Sequence, residues 1–202
     1  MSQTSYLPNL KTRLVETWNI IRHIMSPPTF AWPLRSTLVI LDPIEAYASL
    51  FDATTIDNIQ RLIDGAEHLE IPIIVTRWQR TLPSTTGDAD PGDAIDSKGH
   101  WTFYVPVGQS NILPTLRIPE SAQIIDVRHT NAFMSDAFAP EECSRLIIAG
   151  SWMESCVINT ARAGLDRNHP VTVVKNACAG HSPGYWTALY ALQLAYGSVV
   201  NV

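Results

Sequence analysis

Thr37-Leu38-Val39-Ile40-Leu41-Asp42 decides the fold. The run is too short and too uniformly apolar for an amphipathic helix. It reads as a strand buried on both faces, the kind found at the centre of a parallel sheet, and it ends on an acid. Downstream, Ile56, Ile59, Leu62, Ile63 and Ala66 fall three or four apart, which predicts a helix over 56–69. Ile71 to Thr76 then supplies a second strand. Gln123 to Val127, Arg145 to Ala149, Val171 to Val174 and Ser198 to Val202 read as further strands, with helical patterns over Glu154 to Leu165 and Pro183 to Ala195. Strands alternating with helices predict one doubly wound, three-layer α/β/α domain over residues 1–202, built on a mostly parallel six-stranded sheet.

Two segments stand outside this alternation. Leu7 to Met25 reads as an extra helix stopped by Pro27-Pro28, within an N-terminal extension over 1–30. Residues 77–116 form a long irregular stretch with Gly87, Pro91 and Gly92, and with Trp101, Phe103 and Tyr104 as groups that would pack against something. A connection of that length in a compact domain is usually functional or an interface arm.

With 46% hydrophobic and 16% charged residues, the balance is that of a globular chain. No apolar run reaches the ~20 residues that cross a bilayer, and Met1 to Leu10 lack a signal pattern, so a cytoplasmic location is expected. A net charge of -5 argues against a nucleic-acid partner and leaves small molecules as the expected ligands. Three cysteines, Cys143, Cys156 and Cys178, show no paired spacing and argue against a disulfide framework or a zinc site.

Ligands of a parallel sheet gather beyond the carboxyl ends of its strands, and three chemically useful groups fall there. Asp42 follows the first strand, Arg128 follows the strand from Gln123, and Cys156 follows Arg145 to Ala149 at the start of a helix. A helix N-terminus favours thiolate, a nearby carboxylate can carry the thiol proton, and a fixed cation would hold both. Each residue also has an ordinary reading: a capping acid, a surface arginine, a buried thiol.

Gly150-Ser151-Trp152-Met153-Glu154-Ser155-Cys156-Val157 resembles the G-x-W-T-E-x-C-V signature of isochorismatase-like cysteine hydrolases. Leu38 to Asp42 is similar to that family's L-V-I-D strand. His129-Thr130-Asn131-Ala132-Phe133 resembles K-H-T-N-S-A-F, one residue shorter, and Thr160-Ala161-Arg162 and Val171 to Gly180 match further segments in order. The resemblance runs from Thr37 to Val202 and fails in the long middle stretch. It implies a six-stranded parallel sheet, a homo-oligomer, and a hydrolase cleaving C–N bonds of small amides or carbamoyl compounds. Cys156 would form a thioester, Asp42 would act as base and then acid, and a cis peptide near Trp152-Met153 would turn backbone N–H groups toward the oxyanion. Ser151, Trp152, Met153, Phe133, Trp78 and His129 become candidates for substrate or oxyanion contacts.

Three departures matter. The family lysine before H-T-N is missing: the lysines are Lys11, Lys98 and Lys175, and Arg128 holds the nearest place, with Lys98 or His129 as other candidates. Arginine supplies charge but cannot shuttle a proton, which leaves the transfer to Asp42. Where some relatives place a zinc-binding Asp-x-His, this chain has Thr76-Arg77-Trp78-Gln79-Arg80, so neither metal nor other cofactor is expected. Arg77 and Arg80 would instead draw an acidic substrate or pair with neighbours. Met153 replaces a small hydroxyl residue. The alternatives are a non-catalytic binding or assembly module on the same fold, or a vinyl-ether hydrolase working from the acid alone.

Overall fold

The computed structural model describes residues 10–79, 94–95, 101–102, 105, 108–194 and 197–202. Its main sheet comprises β1 (Ser36–Leu41), β2 (Ile73–Trp78), β5 (Gln123–Val127), β6 (Arg145–Gly150), β7 (Val171–Cys178) and β8 (Ser198–Val200); β3 (Ala94–Ile95) and β4 (Trp101–Thr102) form a separate antiparallel pair. The helices are α1 (Leu10–Met25), α2 (Ala53–His68), α3 (Ile158–Asp166) and α4 (Gly184–Leu194).

The six main strands are all parallel in the order β5-β2-β1-β6-β7-β8. From the central pair the chain winds outward in both directions, β1 to β2 on one side and β6 to β7 on the other. Helix α2 connects β1 to β2, α3 connects β6 to β7, and α4 connects β7 to β8; the right-handed crossovers general to parallel sheets place α2 opposite α3 and α4. The winding reverses between β1 and β6, and a crevice opens at their carboxyl ends.

The apolar runs are buried as their composition requires. Leu38, Val39, Ile40, Ile147, Ile148 and Ala149 have no exposed surface. The α2 stripe Ile59, Leu62, Ile63 and Ala66 packs into the same core, and Asp52 caps the helix by accepting from Thr55 N–H at 2.6 Å.

The structure moves several expected boundaries. Strand β2 begins at Ile73 rather than Ile71, because Pro72 carries no N–H for a ladder, and it continues through Arg77 and Trp78. Those two residues therefore belong to the sheet and not to the irregular stretch. The described part of that stretch is tied down: Leu113 N–H donates to Pro43 O at 2.8 Å and Glu45 N–H to Asn111 O at 2.9 Å. Residues 108–116 thus brace the segment that follows β1. Arg80, Lys98, Phe103 and Tyr104 lie outside the described residues, as does the first part of the expected Leu7 to Met25 helix.

Helix α1 stops at Met25, and the chain beyond it pairs with the C-terminus, Phe30 N–H donating to Asn201 O at 2.6 Å. Its inner face buries Ile24, while Leu14, Val15, Trp18 and Met25 stay exposed. Among the described residues no helix is long and apolar enough to cross a membrane.

Candidate active site

Strand β1 delivers Asp42 to the crevice. The residue is 1% exposed, and its backbone sits in the left-handed region at φ 49°. Three hydrogen bonds hold that turn. Asp42 N–H donates to Thr76 Oγ1 at 3.1 Å, and the Thr76 hydroxyl donates to Asp42 Oδ1 at 2.7 Å. The Ser151 hydroxyl donates to Asp42 O at 3.0 Å.

Strand β6 delivers the thiol. Gly150 ends it opposite Leu41 at φ 109°, where a Cβ would run into the Leu41 backbone, so only glycine lets the two strands close here. The expected helix does not begin as an α-helix. Met153–Val157 form a single π-helical turn that leads into α3, with Ser155 N–H and Val157 N–H both donating to Trp152 O at 3.0 Å. Local π-turns of this kind recur at functional sites. The cis peptide lies at Ser151-Trp152, one bond earlier than expected. Glu154 pins the turn to the loop before α4, its Oε1 accepting from His181 N–H at 2.7 Å.

The two strands bring Cys156 and Asp42 close enough for each to act on the other's ionisation. Burial pushes the Asp42 carboxyl up to about 6, with the hydroxyl of Thr76 and the thiol of Cys156 opposing the shift. Burial also drives the Cys156 thiol well above its ordinary range, and the negative charge of Asp42 adds to this; the Trp152 backbone N–H and the Ser155 hydroxyl pull the other way. The resting state is therefore a protonated thiol facing an acid that ionises near neutrality. The pull of the helix terminus toward thiolate is outweighed here by burial, which favours the neutral form.

Cys156 borders a small hollow of about 10 Å³, room for about one water, lined also by Tyr47, Trp78, Thr130, Trp152 and Ser155. Three of its six lining residues are aromatic, and no lysine or arginine is among them. Tyr47 and Trp152 meet edge to face at 5.5 Å, and Trp152 meets His181 at 4.8 Å. Burial and the Asp42 charge hold the Tyr47 phenol protonated, which keeps it a hydrogen-bond donor. A larger hollow between α1 and α4 contains Glu16, Tyr190 and Gln193 but no cysteine beside a carboxylate.

Other expected site residues lie elsewhere. Arg128 and His129 are exposed, and among the described residues neither makes a hydrogen bond or ion pair with Asp42 or Cys156. The side chain that reaches the hollow from that segment is Thr130. Phe133 packs away from it, against Phe138 at 4.8 Å and beneath Arg167 at 4.7 Å. Met153 is 1% exposed, and Ser151, fully buried, braces the Asp42 carbonyl. Arg77 pairs with Asp126 at 2.8 Å across β2 and β5, so its charge is already partnered. Cys143 is exposed, and Cys178 is buried at the end of β7, paired with Gly150 of β6. Among the described residues no cluster of His, Cys, Asp or Glu is arranged to hold a metal ion.

Sequence reasoning missed Tyr47, Thr76, Thr130 and Ser155. Thr76 carried a legible signal: it lies at the carboxyl end of the strand next to the one that delivers the acid. Tyr47 carried none, because its position depends on a short 3₁₀ turn over Glu45–Leu50.

A match to the isochorismatase domain family spans residues 36–200. Among solved structures, a MAR1 ribonuclease from Caenorhabditis elegans aligns at TM-score 0.63 and 23% identity, over 85% of this chain and 79% of that one. N-carbamoylsarcosine amidase from Thermoplasma acidophilum aligns at TM-score 0.64 and 17% identity, over 83% and 96%. A nicotinamidase/pyrazinamidase from Acinetobacter baumannii aligns at TM-score 0.62 and 18% identity, over 85% and 98%. At these identities the likeness is one of fold. Comparison by sequence with curated proteins gives no match.

Proposed function

The chain belongs to the isochorismatase family, and from that premise we propose that it is a cysteine hydrolase that opens a C–N bond of a small amide or carbamoyl compound without a metal. One observation carries the reading: Cys156 and Asp42 lie close enough to perturb each other's ionisation, with Cys156 lining an aromatic hollow at the sheet's switch point.

In this reading Asp42, ionised above about pH 6, takes the proton of Cys156 as the sulfur attacks the carbonyl carbon. The C–N bond then breaks, and Asp42–H protonates the departing nitrogen. Water hydrolyses the thioester with Asp42 again as base, which frees Cys156. In this reading the Trp152 backbone N–H, which favours negative charge on the sulfur, also meets the charge developing beside it.

The hollow supports a small, flat and uncharged reacting group. Rings from Tyr47, Trp78 and Trp152 line it, and no cation lines it among the described residues. An RNA substrate would follow from likeness to the Caenorhabditis elegans ribonuclease, but a polyanion suits a chain of net charge -5 poorly.

The binding-module alternative draws on one observation, that no cation stands beside Cys156 among the described residues. Ammonia or amine release from a panel of small amides, with intact-mass detection of an acyl adduct on Cys156, separates the two readings. Turnover abolished in Cys156→Ala is the expected result; no turnover and no adduct across the panel would favour the binding module.

A further inference from the structure

Thr76 makes two hydrogen bonds to the same residue, in opposite directions. It accepts from Asp42 N–H at 3.1 Å and donates its own hydroxyl to Asp42 Oδ1 at 2.7 Å. The two bonds constrain each other. The amide proton occupies the oxygen's acceptor side, and the hydroxyl hydrogen is aimed at Oδ1. Thr76 and Asp42 are buried, at 0% and 1% exposure, so no bulk solvent competes for either bond.

The anchor is rigid. Thr76 sits inside β2, paired with Ile125 of β5, and Asp42 directly follows β1, which pairs with β2 at Ile40 and Val75. With Oδ1 receiving the hydroxyl, the carboxyl's second oxygen, Oδ2, is left as the seat for a mobile proton.

We propose that Thr76 is a positioning residue that fixes the proton-carrying oxygen of Asp42: it engages Oδ1 as an acceptor and reserves Oδ2 to take the proton of Cys156 S–H and return it to the leaving nitrogen. The inference rests on the proposed Cys156–Asp42 hydrolase reading for its consequence, but the hydrogen-bond assignment stands independently of any activity. Thr76 does not line the hollow, and acts through Asp42. A charge-assisted bond of this kind also favours the carboxylate, in the sense the surroundings of Asp42 show. Among the described residues, the ionisable groups facing Asp42 from the elements packed around it are Cys156 on the π-helical turn and Tyr47 on the 3₁₀ turn. Neither is a cation, so Thr76 supplies the principal polar support.

The test compares Thr76→Val, which keeps the strand-forming shape and removes the hydroxyl, with Thr76→Ser, which keeps the hydroxyl. Carbon-13 titration of labelled aspartate carboxyls reads Asp42 directly, assigned by its loss in Asp42→Asn. In Thr76→Val the Asp42 midpoint is expected to rise above its wild-type value of about 6, and Cys156 alkylation at pH 6.5 to fall about tenfold; Thr76→Ser is expected to restore both. An unmoved midpoint in Thr76→Val would overturn the proposal, as would an equal shift in Thr76→Ser. If Thr76→Val does not fold, the wild type still decides: the Thr76 Cβ resonance must titrate with the Asp42 midpoint, and a flat Cβ shift overturns the assignment. Failure of the hydrolase reading shows separately, as a wild-type Cys156 that alkylates no faster than Cys178 while the Asp42 titration still responds to Thr76.

Discussion

Leu41 and Gly150 face each other at the last pair of the β1–β6 ladder, and both Asp42 and the turn carrying Cys156 are placed from that pair. Asp42 follows Leu41 directly, and the turn that presents Cys156 follows Gly150. The strands approach so closely there that a Cβ on Gly150 would enter the Leu41 backbone, at a φ of 109° that side-chain-bearing residues seldom adopt.

Gly150→Ala is therefore expected to lose at least about 3 kcal/mol of stability, through backbone strain and a clash that no flexible side chain can relieve. Urea unfolding measures it. A variant as stable as the wild type would mean that the ladder does not close as described.

Asp42 should trade stability for chemistry. Its folded value of about 6 lies above the ordinary 3.8, so between those values the folded state keeps a proton that the unfolded state has released. Stability from this group is therefore intact below about pH 4, falls as pH rises toward 6, and stays reduced above it, by on the order of 3 kcal/mol. Asp42→Asn has no such proton. Comparing unfolding free energies at pH 4 and pH 8, the difference between the two proteins should swing toward the variant at pH 8. An equal difference at both pH values would contradict a buried, raised carboxyl.

Arg128→Ala is expected to change the alkylation rate of Cys156 by less than about twofold, because the exposed guanidinium bonds neither Asp42 nor Cys156. Mass-spectrometric labelling of the variant checks this. A loss of tenfold or more would return Arg128 to the site.

Much of this was legible in the sequence because burial writes itself into composition. The apolar runs ending at Leu41 and Gly150 can only be central strands, and a residue following such a strand must emerge at the crevice; Asp42 and Cys156 were found that way. Arg128 followed the same rule and still points outward. Its strand, β5, is at the sheet edge, where Val127 is buried but the next two side chains meet solvent. A strand end gives an address, not a direction. The helix-terminus rule counts a dipole but not the burial of Cys156, which raises its thiol well above the ordinary range. Tyr47 and Thr130 were invisible because they reach the hollow from irregular turns whose course no periodicity records.

For the proposal that Asp42 is the base for Cys156, the most direct measurement is the pH dependence of iodoacetamide labelling at each of the three cysteines. Labelling of Cys156 is predicted to rise with pH through a midpoint near 6, to outpace that of buried Cys178, and to lose that midpoint in Asp42→Asn. A Cys156 that labels as slowly as Cys178, or whose profile is unchanged in Asp42→Asn, would contradict it.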